Sequence, residues 1–162
     1  MFEQALDAGS NTSTLFRRNS VRVFIYCADP REEADLERKI IALLEDPEEQ
    51  IIRISILGGP LAFAYPEALK ATCSTLLAQL RFAVKTFCVD EIVLVGHKCG
   101  FYSEIRERRP NQKADLARAA ENAARYFRNV TVTAVFEETV DGETAFLPVF
   151  WSEGLAPIAP AR

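Results

Sequence analysis

Short apolar runs alternate with segments of helical periodicity along this chain, and that alternation constrains the fold more than any other feature. The runs VRVFIYC (21–27), QIIRISIL (50–57) and EIVLVGH (91–97) are rich in β-branched and aliphatic residues, which is typical of strands buried on both faces. Apolar residues recur at spacings of three and four after Pro30 and again after Pro66, which indicates helices. The alternation predicts an α/β fold with a mainly parallel sheet and helices on both faces.

A third helix and a hairpin complete the predicted sheet. The segment 111–127 has helical periodicity, and its small-residue stripe is suited to close packing on a sheet: Ala117, Ala120, Ala124 and Phe127. Two strand-like runs follow, joined at the Asp141-Gly142 pair, which is a strong signal for a hairpin turn. We therefore expect the last strand to be antiparallel and to lie at the edge of the sheet.

The size and charge of the chain limit its organisation and its partners. With 162 residues, 49% of them hydrophobic, we expect a single α/β domain over 21–152, an N-terminal arm over 1–20 and a C-terminal tail over 153–162. The net charge of -4 provides no field to attract a polyanion, so nucleic acid is not an expected partner. No run is long and apolar enough for a membrane span, and the N-terminus lacks the layout of a secretory signal, so we expect a cytoplasmic protein.

The ends of the first and third predicted strands contain residues that bind metals. Open parallel sheets bind ligands at the carboxyl ends of their strands, where the winding of the chain reverses. Cys27 ends the first strand, and His97 and Cys99 end the third. If these strands are neighbours, as in the flavodoxin-like order, the three side chains meet. Zinc prefers thiolate and imidazole ligands, and cysteines stay reduced in the cytoplasm, so the three residues form a candidate zinc site.

Ordinary packing is the other interpretation of these residues. A buried cysteine usually behaves as a small hydrophobic residue, and short Cys/His spacings also arise by chance. Cys73 lies on the apolar stripe of the second helix and Cys88 lies just past that helix, so we interpret both as packing residues outside the site. His97 is either a metal ligand or a residue that caps its strand.

Asp29 has two open roles. In DPRE, Asp29 stands at a helix N-cap position, Pro30 at the first helical position and Glu32 at the third, which is the layout of a capping box. Alternatively, Asp29 accepts a hydrogen bond from metal-bound water while Arg31 holds its carboxylate as a bidentate partner. The two roles are compatible, because the carboxylate has one oxygen for each.

Several motifs resemble those of β-class carbonic anhydrases. CADPR (27–31) resembles the family's C-x-D-x-R signature, and IIRISILGGP (51–60) resembles its strand and glycine loop. The segment 73–100 resembles the helix and strand that lead into the family's H-x-x-C-G motif. The resemblance covers roughly residues 21–101, and the motifs occur in the family's order.

The resemblance implies a fold, a cofactor and an activity. The fold would be an α/β sheet with parallel strands, assembled as a homodimer or a higher homo-oligomer. Cys27, His97 and Cys99 would hold zinc. The activity would be the reversible hydration of carbon dioxide to bicarbonate by zinc-bound hydroxide, with Asp29 orienting the nucleophile and Arg31 orienting Asp29.

The sequence departs from the family at the third ligand. It reads H-x-C where the family reads H-x-x-C, so one residue is missing between His97 and Cys99. One residue of extended chain spans about 3.3 Å, whereas a zinc ligand distance tolerates a deviation of only about 0.2 Å. The alternative hypothesis is therefore a non-catalytic carbonic-anhydrase-like homologue that acts as a binding or assembly module with weak or no metal.

Overall fold

The computed structural model describes residues 20–31, 33–42, 50–98 and 111–149. Within these ranges the elements are β1 (Val21–Cys27), α1 (Glu33–Ala42), β2 (Gln50–Ile56), α2 (Leu61–Ala64), α3 (Lys70–Phe87), β3 (Glu91–Gly96), α4 (Gln112–Tyr126), β4 (Thr131–Val140) and β5 (Glu143–Pro148). The predicted arm, except for Ser20, and the predicted tail lie outside the described residues, as does Cys99. None of the described helices is long and apolar enough to cross a membrane.

The strands form one mixed sheet in the order β2-β1-β3-β4-β5. The pairs β1–β2, β1–β3 and β3–β4 are parallel, and the pair β4–β5 is antiparallel. The chain passes from β1 to β2 on one side and then to β3 on the other, so its winding reverses between β1 and β3. The predicted fold class and the predicted contact between the first and third strands are both confirmed.

Helices cover both faces of the sheet, as predicted. Alternate residues of a strand point to opposite faces, so β1 contributes to two cores. Val23 and Ile25 belong to the larger core, together with residues of α2, α3 and α4. Phe24 and Tyr26 belong to the smaller core, which α1 covers with Leu36 and Ile40. Leu43 and Leu44, which continue the same apolar spacing in the sequence, lie outside the described residues.

Two details of the helices correct the expectations from the sequence. The buried residues of α4 include Leu116, Ala119, Ala120 and Ala123, whereas the predicted Ala117 and Ala124 are only half-buried. The buried face of α4 is rotated because Leu116 packs closely on Gly96 at the end of β3. A Cβ added at Gly96 would lie 2.8 Å from Leu116 Cδ2.

The second correction concerns the end of α3. Cys88, interpreted from the sequence as a packing residue, is exposed and ends the helix in a left-handed conformation, and the neighbouring Phe87 is 50% exposed. A helix of 18 residues is about 27 Å long, whereas the six residues of β3 span about 20 Å, so the last turn extends past the sheet. Cys73, in contrast, is buried in the larger core as predicted.

The hairpin between β4 and β5 is confirmed. Asp141 and Gly142 have positive φ angles of 52° and 84°, which characterise a type I′ turn. Val140 pairs with Glu143 across the turn. The tight turn sets the register of the antiparallel edge strand.

The amino ends of the parallel strands are joined by hydrogen bonds around Asp90. The backbone N–H of Val21 donates to Asp90 Oδ2 at 3.0 Å, and the backbone N–H of Asp90 donates to the Val21 carbonyl at 2.9 Å. The N–H of Thr131 donates to the carbonyl of Asp90 at 3.1 Å. Asp90 therefore connects the starts of β1, β3 and β4.

Candidate functional site

A small cavity lies at the carboxyl ends of β1 and β3. Parallel pairing aligns Ile25 with Leu94, so Cys27 and Gly96, two residues further along each strand, end side by side. Three polar side chains line the cavity, Cys27, His97 and Gln112, together with apolar side chains that include Leu61, Leu116 and Phe136. Its volume of about 30 Å³ is close to the share of one water molecule in the liquid. The cavity therefore fits an ion or a ligand of a few atoms.

The glycine loop after β2 encloses Cys27. Gly59 has a φ of +53°, and a Cβ added there would lie 3.0 Å from the backbone nitrogen of Cys27. Only glycine adopts this conformation without strain while allowing so close an approach of two backbones. The thiol-bearing residue is only 2% exposed, and Gly58 and Pro60 of the same loop line the cavity. The loop therefore covers the end of β1 and buries Cys27.

His97 is buried, and one of its ring nitrogens has no hydrogen-bond partner. The residue is 5% exposed, and its Nε2 atom contacts no donor or acceptor among the described residues. Buried polar side-chain atoms in folded proteins are nearly always hydrogen-bonded, so an unpartnered one requires an explanation. An unprotonated imidazole nitrogen is a good metal ligand. His97 therefore has the chemistry of a ligand, and Nε2 makes no contact that would cap the strand.

Asp29 and Arg31 form a bidentate pair just past β1. Arg31 donates from Nε to Asp29 Oδ1 at 2.8 Å and from a terminal guanidinium nitrogen to Oδ2 at 2.5 Å. The hydrogen bonds from the Arg31 side chain are the main cause that lowers the pKa of the Asp29 carboxyl to about 2, and nearby His97 has a smaller effect in the same direction. Asp29 is 5% exposed and ionised at neutral pH.

The predicted helix cap at Asp29 is wrong. The backbone N–H of Arg31, two residues on, donates to Asp29 Oδ1 at 3.1 Å, which is the hydrogen bond of an Asx turn. Helix α1 begins at Glu33, so Pro30 and Arg31 lie in the turn before it. Both carboxylate oxygens of Asp29 accept hydrogen bonds from Arg31 instead. Glu32, the other half of the predicted capping box, lies outside the described residues.

Four of the five residues predicted from the sequence are described. Cys27 and His97 line one cavity, and Asp29 and Arg31 form their pair beside it. Cys99 lies outside the described residues, and among the described ones no group of three His, Cys, Asp or Glu side chains could hold a metal.

The sequence reasoning missed Gln112, the third polar residue of the wall. Gln112 is the first residue of α4 and is preceded by Asn111, whose side-chain oxygen accepts a hydrogen bond from Ala114 N at 3.1 Å. Asparagine at a helix start is a recognisable N-cap signal. That signal locates the first turn of the helix, but it does not indicate which cavity the turn faces.

The chain has a distant structural likeness to known proteins. No protein-family model matches the chain, and no curated protein sequence matches it. A solved structure with a similar chain comes from crystal structures of two tetrameric β-carbonic anhydrases from the filamentous ascomycete Sordaria macrospora. The two chains are 17% identical, the match covers 80% of this chain and 81% of that one, and the TM-score is 0.42. At this distance the likeness assigns no function to the chain.

Proposed function

We propose that the chain is a β-carbonic-anhydrase-like zinc protein that reversibly hydrates carbon dioxide to bicarbonate, with zinc held by Cys27, His97 and Cys99. The Nε2 atom of His97 carries the proposal, because it is buried with no hydrogen-bond partner among the described residues and lines the same cavity as Cys27. A zinc ion would satisfy this nitrogen, since zinc combines imidazole and thiolate ligands. Cys27 and His97 thus fit two ligand positions, and the motif in the sequence supplies Cys99 as the third.

The residues around the cavity fit the needs of this reaction. Bound zinc would supply Lewis-acid activation of a water molecule. Asp29 is ionised, and its Oδ2 atom, which accepts one hydrogen bond from Arg31, has a second lone pair that can accept a hydrogen bond and so orient the nucleophile. Arg31 acts as a positioning residue, because its two side-chain hydrogen bonds fix the plane of that carboxylate. The chain contains one histidine, so protons leave through a carboxylate, a cysteine, a tyrosine or buffer.

Apolar side chains form the rest of the cavity wall. Leu61, Leu116 and Phe136 come from α2, α4 and β4, and Leu61 and Leu116 are at most 7% exposed. Such a wall excludes bulk water, and it suits carbon dioxide, which is small and has no net dipole. Hydrogen-bond donors and acceptors at one end of an apolar cavity orient a ligand of this kind.

Metal analysis of two cysteine variants tests the proposal. Cys27 and Cys73 are both buried, 2% and 4% exposed, so Cys73→Ser is a matched control for Cys27→Ser. We expect zinc in the wild type and in Cys73→Ser, and none in Cys27→Ser. We also expect carbon dioxide hydration to rise toward alkaline pH, because two thiolates neutralise the charge of zinc and weaken its effect on water. Equal zinc contents in the two variants would contradict the assignment.

The shortened H-x-C motif is tested by insertion. We expect the wild type to bind zinc more weakly than a site with complete motifs, because Cys99 must be drawn inward. Inserting one residue between Lys98 and Cys99 should then raise both zinc affinity and hydration activity. A non-catalytic homologue that has lost its metal would show neither gain. If the wild type binds one zinc ion tightly and the insertion weakens that binding, then H-x-C is a complete ligand pair.

We also propose that the chain forms a homodimer or a higher homo-oligomer. Phe82 and Phe87 on α3 are 66% and 50% exposed, and their rings contact edge to face at 6.3 Å. Exposed apolar side chains in contact with each other favour association. Sedimentation at micromolar concentration should show a species larger than the 18.1 kDa monomer. The double change Phe82→Ser and Phe87→Ser should shift it toward the monomer, and a wild type that sediments only as monomer would refute self-association.

A further inference from the structure

Gln112 is the polar group of the cavity that the proposed zinc site does not use. The described residues that line the cavity include three with polar side chains, and two of them, Cys27 and His97, are candidate zinc ligands. Gln112 is half-buried, and its side-chain Oε1 atom is shielded from solvent. Its side chain therefore reaches the cavity from α4, on the wall formed by that helix.

Contacts along one face of α4 fix the position of Gln112. Gln112 and Leu116 are four residues apart, so they lie on the same side of the helix, and both line the cavity. Leu116 packs on Gly96, where a Cβ would lie 2.8 Å from Leu116 Cδ2 and 2.9 Å from Phe136 Cδ2. The absence of a side chain at Gly96 thus brings α4 close to the end of β3.

Two further contacts hold the first turn of α4 on its other sides. Lys113 forms an ion pair with Glu138 of β4. Asp115 is 2% exposed and accepts a hydrogen bond from the hydroxyl of Tyr65 at 2.6 Å. A turn that is attached to β4 and to the residue after α2 has little freedom to move. Gln112 is therefore presented to the cavity by a rigid support, as ligand-binding residues require.

We propose that Gln112 is the substrate-binding and specificity-determining residue of this site, and that its side-chain amide hydrogen-bonds an oxygen of carbon dioxide or bicarbonate. This inference rests on the function proposed above. The amide N–H₂ group donates to the oxygens of either molecule, and the amide carbonyl accepts from the hydroxyl of bicarbonate. The cavity of about 30 Å³ suits a ligand of a few atoms.

The location and charge of Gln112 also suit a reversible reaction. Gln112 lies at the amino end of the 15-residue α4, where the helix dipole favours a negative charge such as that of bicarbonate. The Nε2 atom of buried His97, which has no hydrogen-bond partner among the described residues, lines the same cavity, so the zinc ion of the proposed function would lie in the cavity that Gln112 faces. The amide carries no charge, so it orients bicarbonate without the ion pair that a lysine or an arginine would form, and this favours release of the anion.

Binding of bicarbonate to the zinc-loaded protein tests this role directly. Titration calorimetry with bicarbonate should show a Kd that is at least about tenfold higher in Gln112→Ala, which is the effect of losing one hydrogen bond to a charged ligand. Gln112→Glu should bind more weakly still, because its carboxylate repels the anion. The KM for bicarbonate dehydration should rise in parallel. Zinc content should equal that of the wild type in both variants.

A matched control and a conservative variant complete the test. Gln79 is an exposed glutamine on α3, so Gln79→Ala should change neither the Kd nor the KM. Gln112→Asn keeps the amide but shortens the side chain by one methylene, so this variant should bind bicarbonate more weakly than the wild type does. If Gln112→Ala does not fold, Gln112→Asn takes its place in the test.

The outcomes separate this inference from the proposed function. A wild type that contains no zinc refutes the proposed function, and with it the substrate role of Gln112. A wild type that binds zinc and bicarbonate, with Gln112 variants of unchanged Kd and KM, overturns the role of Gln112 alone. Loss of zinc in the Gln112 variants also overturns it, since Gln112 would then support the metal site rather than the substrate.

Discussion

The two ends of the parallel strands differ in how their polar groups are satisfied. At the amino ends, Asp90 connects β1, β3 and β4 through backbone and side-chain hydrogen bonds. At the carboxyl ends, residues of the same strands line a cavity, and His97 Nε2 is buried there with no hydrogen-bond partner in the described part of the chain. A buried polar atom without a partner costs about 1–3 kcal/mol. The amino end thus stabilises the sheet, whereas the carboxyl end gives up stability where a ligand would bind.

The largest expected effect comes from the glycine loop at the carboxyl end. We expect Gly59→Ala to lower the free energy of unfolding by about 3 kcal/mol, because the strain of a positive φ adds to a backbone contact that cannot relax. Urea unfolding measures this change.

Gly142→Ala provides the matched control for Gly59→Ala. Gly142 also has a positive φ, but nothing lies within 4 Å of an added Cβ, so we expect a loss of only about 1 kcal/mol. Equal losses of unfolding free energy in the two variants would mean that the glycine loop does not pack tightly on Cys27 at the carboxyl end of β1.

A gain of stability is expected at His97. His97→Met keeps most of the buried volume and removes an unpartnered polar atom, so the zinc-free protein should be about 1 kcal/mol more stable. Added zinc should stabilise the wild type and leave the variant unchanged, as thermal unfolding with and without zinc would show. If the zinc-free variant is instead clearly less stable, the imidazole contributes to the fold, as the strand-cap interpretation requires.

A smaller loss is expected at the amino end. Asp90→Ala removes the hydrogen bond from Val21 N to the carboxylate, and the residue is exposed, so we expect a loss of about 1 kcal/mol. Zinc content and hydration activity should not change, because Asp90 lies at the opposite end of the strands from the cavity. Altered zinc binding in this variant would contradict the division between a stabilising end and a ligand-binding end.

The sequence by itself determined the strands, the three long helices and their order, but it did not indicate the four-residue α2. A parallel strand buried on both faces must be apolar throughout, so VRVFIYC and EIVLVGH identify β1 and β3 without further information. The Asp-Gly pair identified the hairpin, because the turn needs positive φ angles at both positions. The pair of Asp29 and Arg31 was also predicted, since the two side chains have opposite charges and are close in the sequence.

Only the tertiary structure decided how these elements meet at the cavity. Helical periodicity indicated that α4 is a helix, but its contact with Gly96 selected Leu116 for the buried face and brought Gln112 to the wall. The unpartnered state of His97 Nε2 likewise depends on everything packed around it. Periodicity is a local property of the backbone, whereas the orientation of a face and the partners of a buried atom depend on contacts between residues far apart in the sequence.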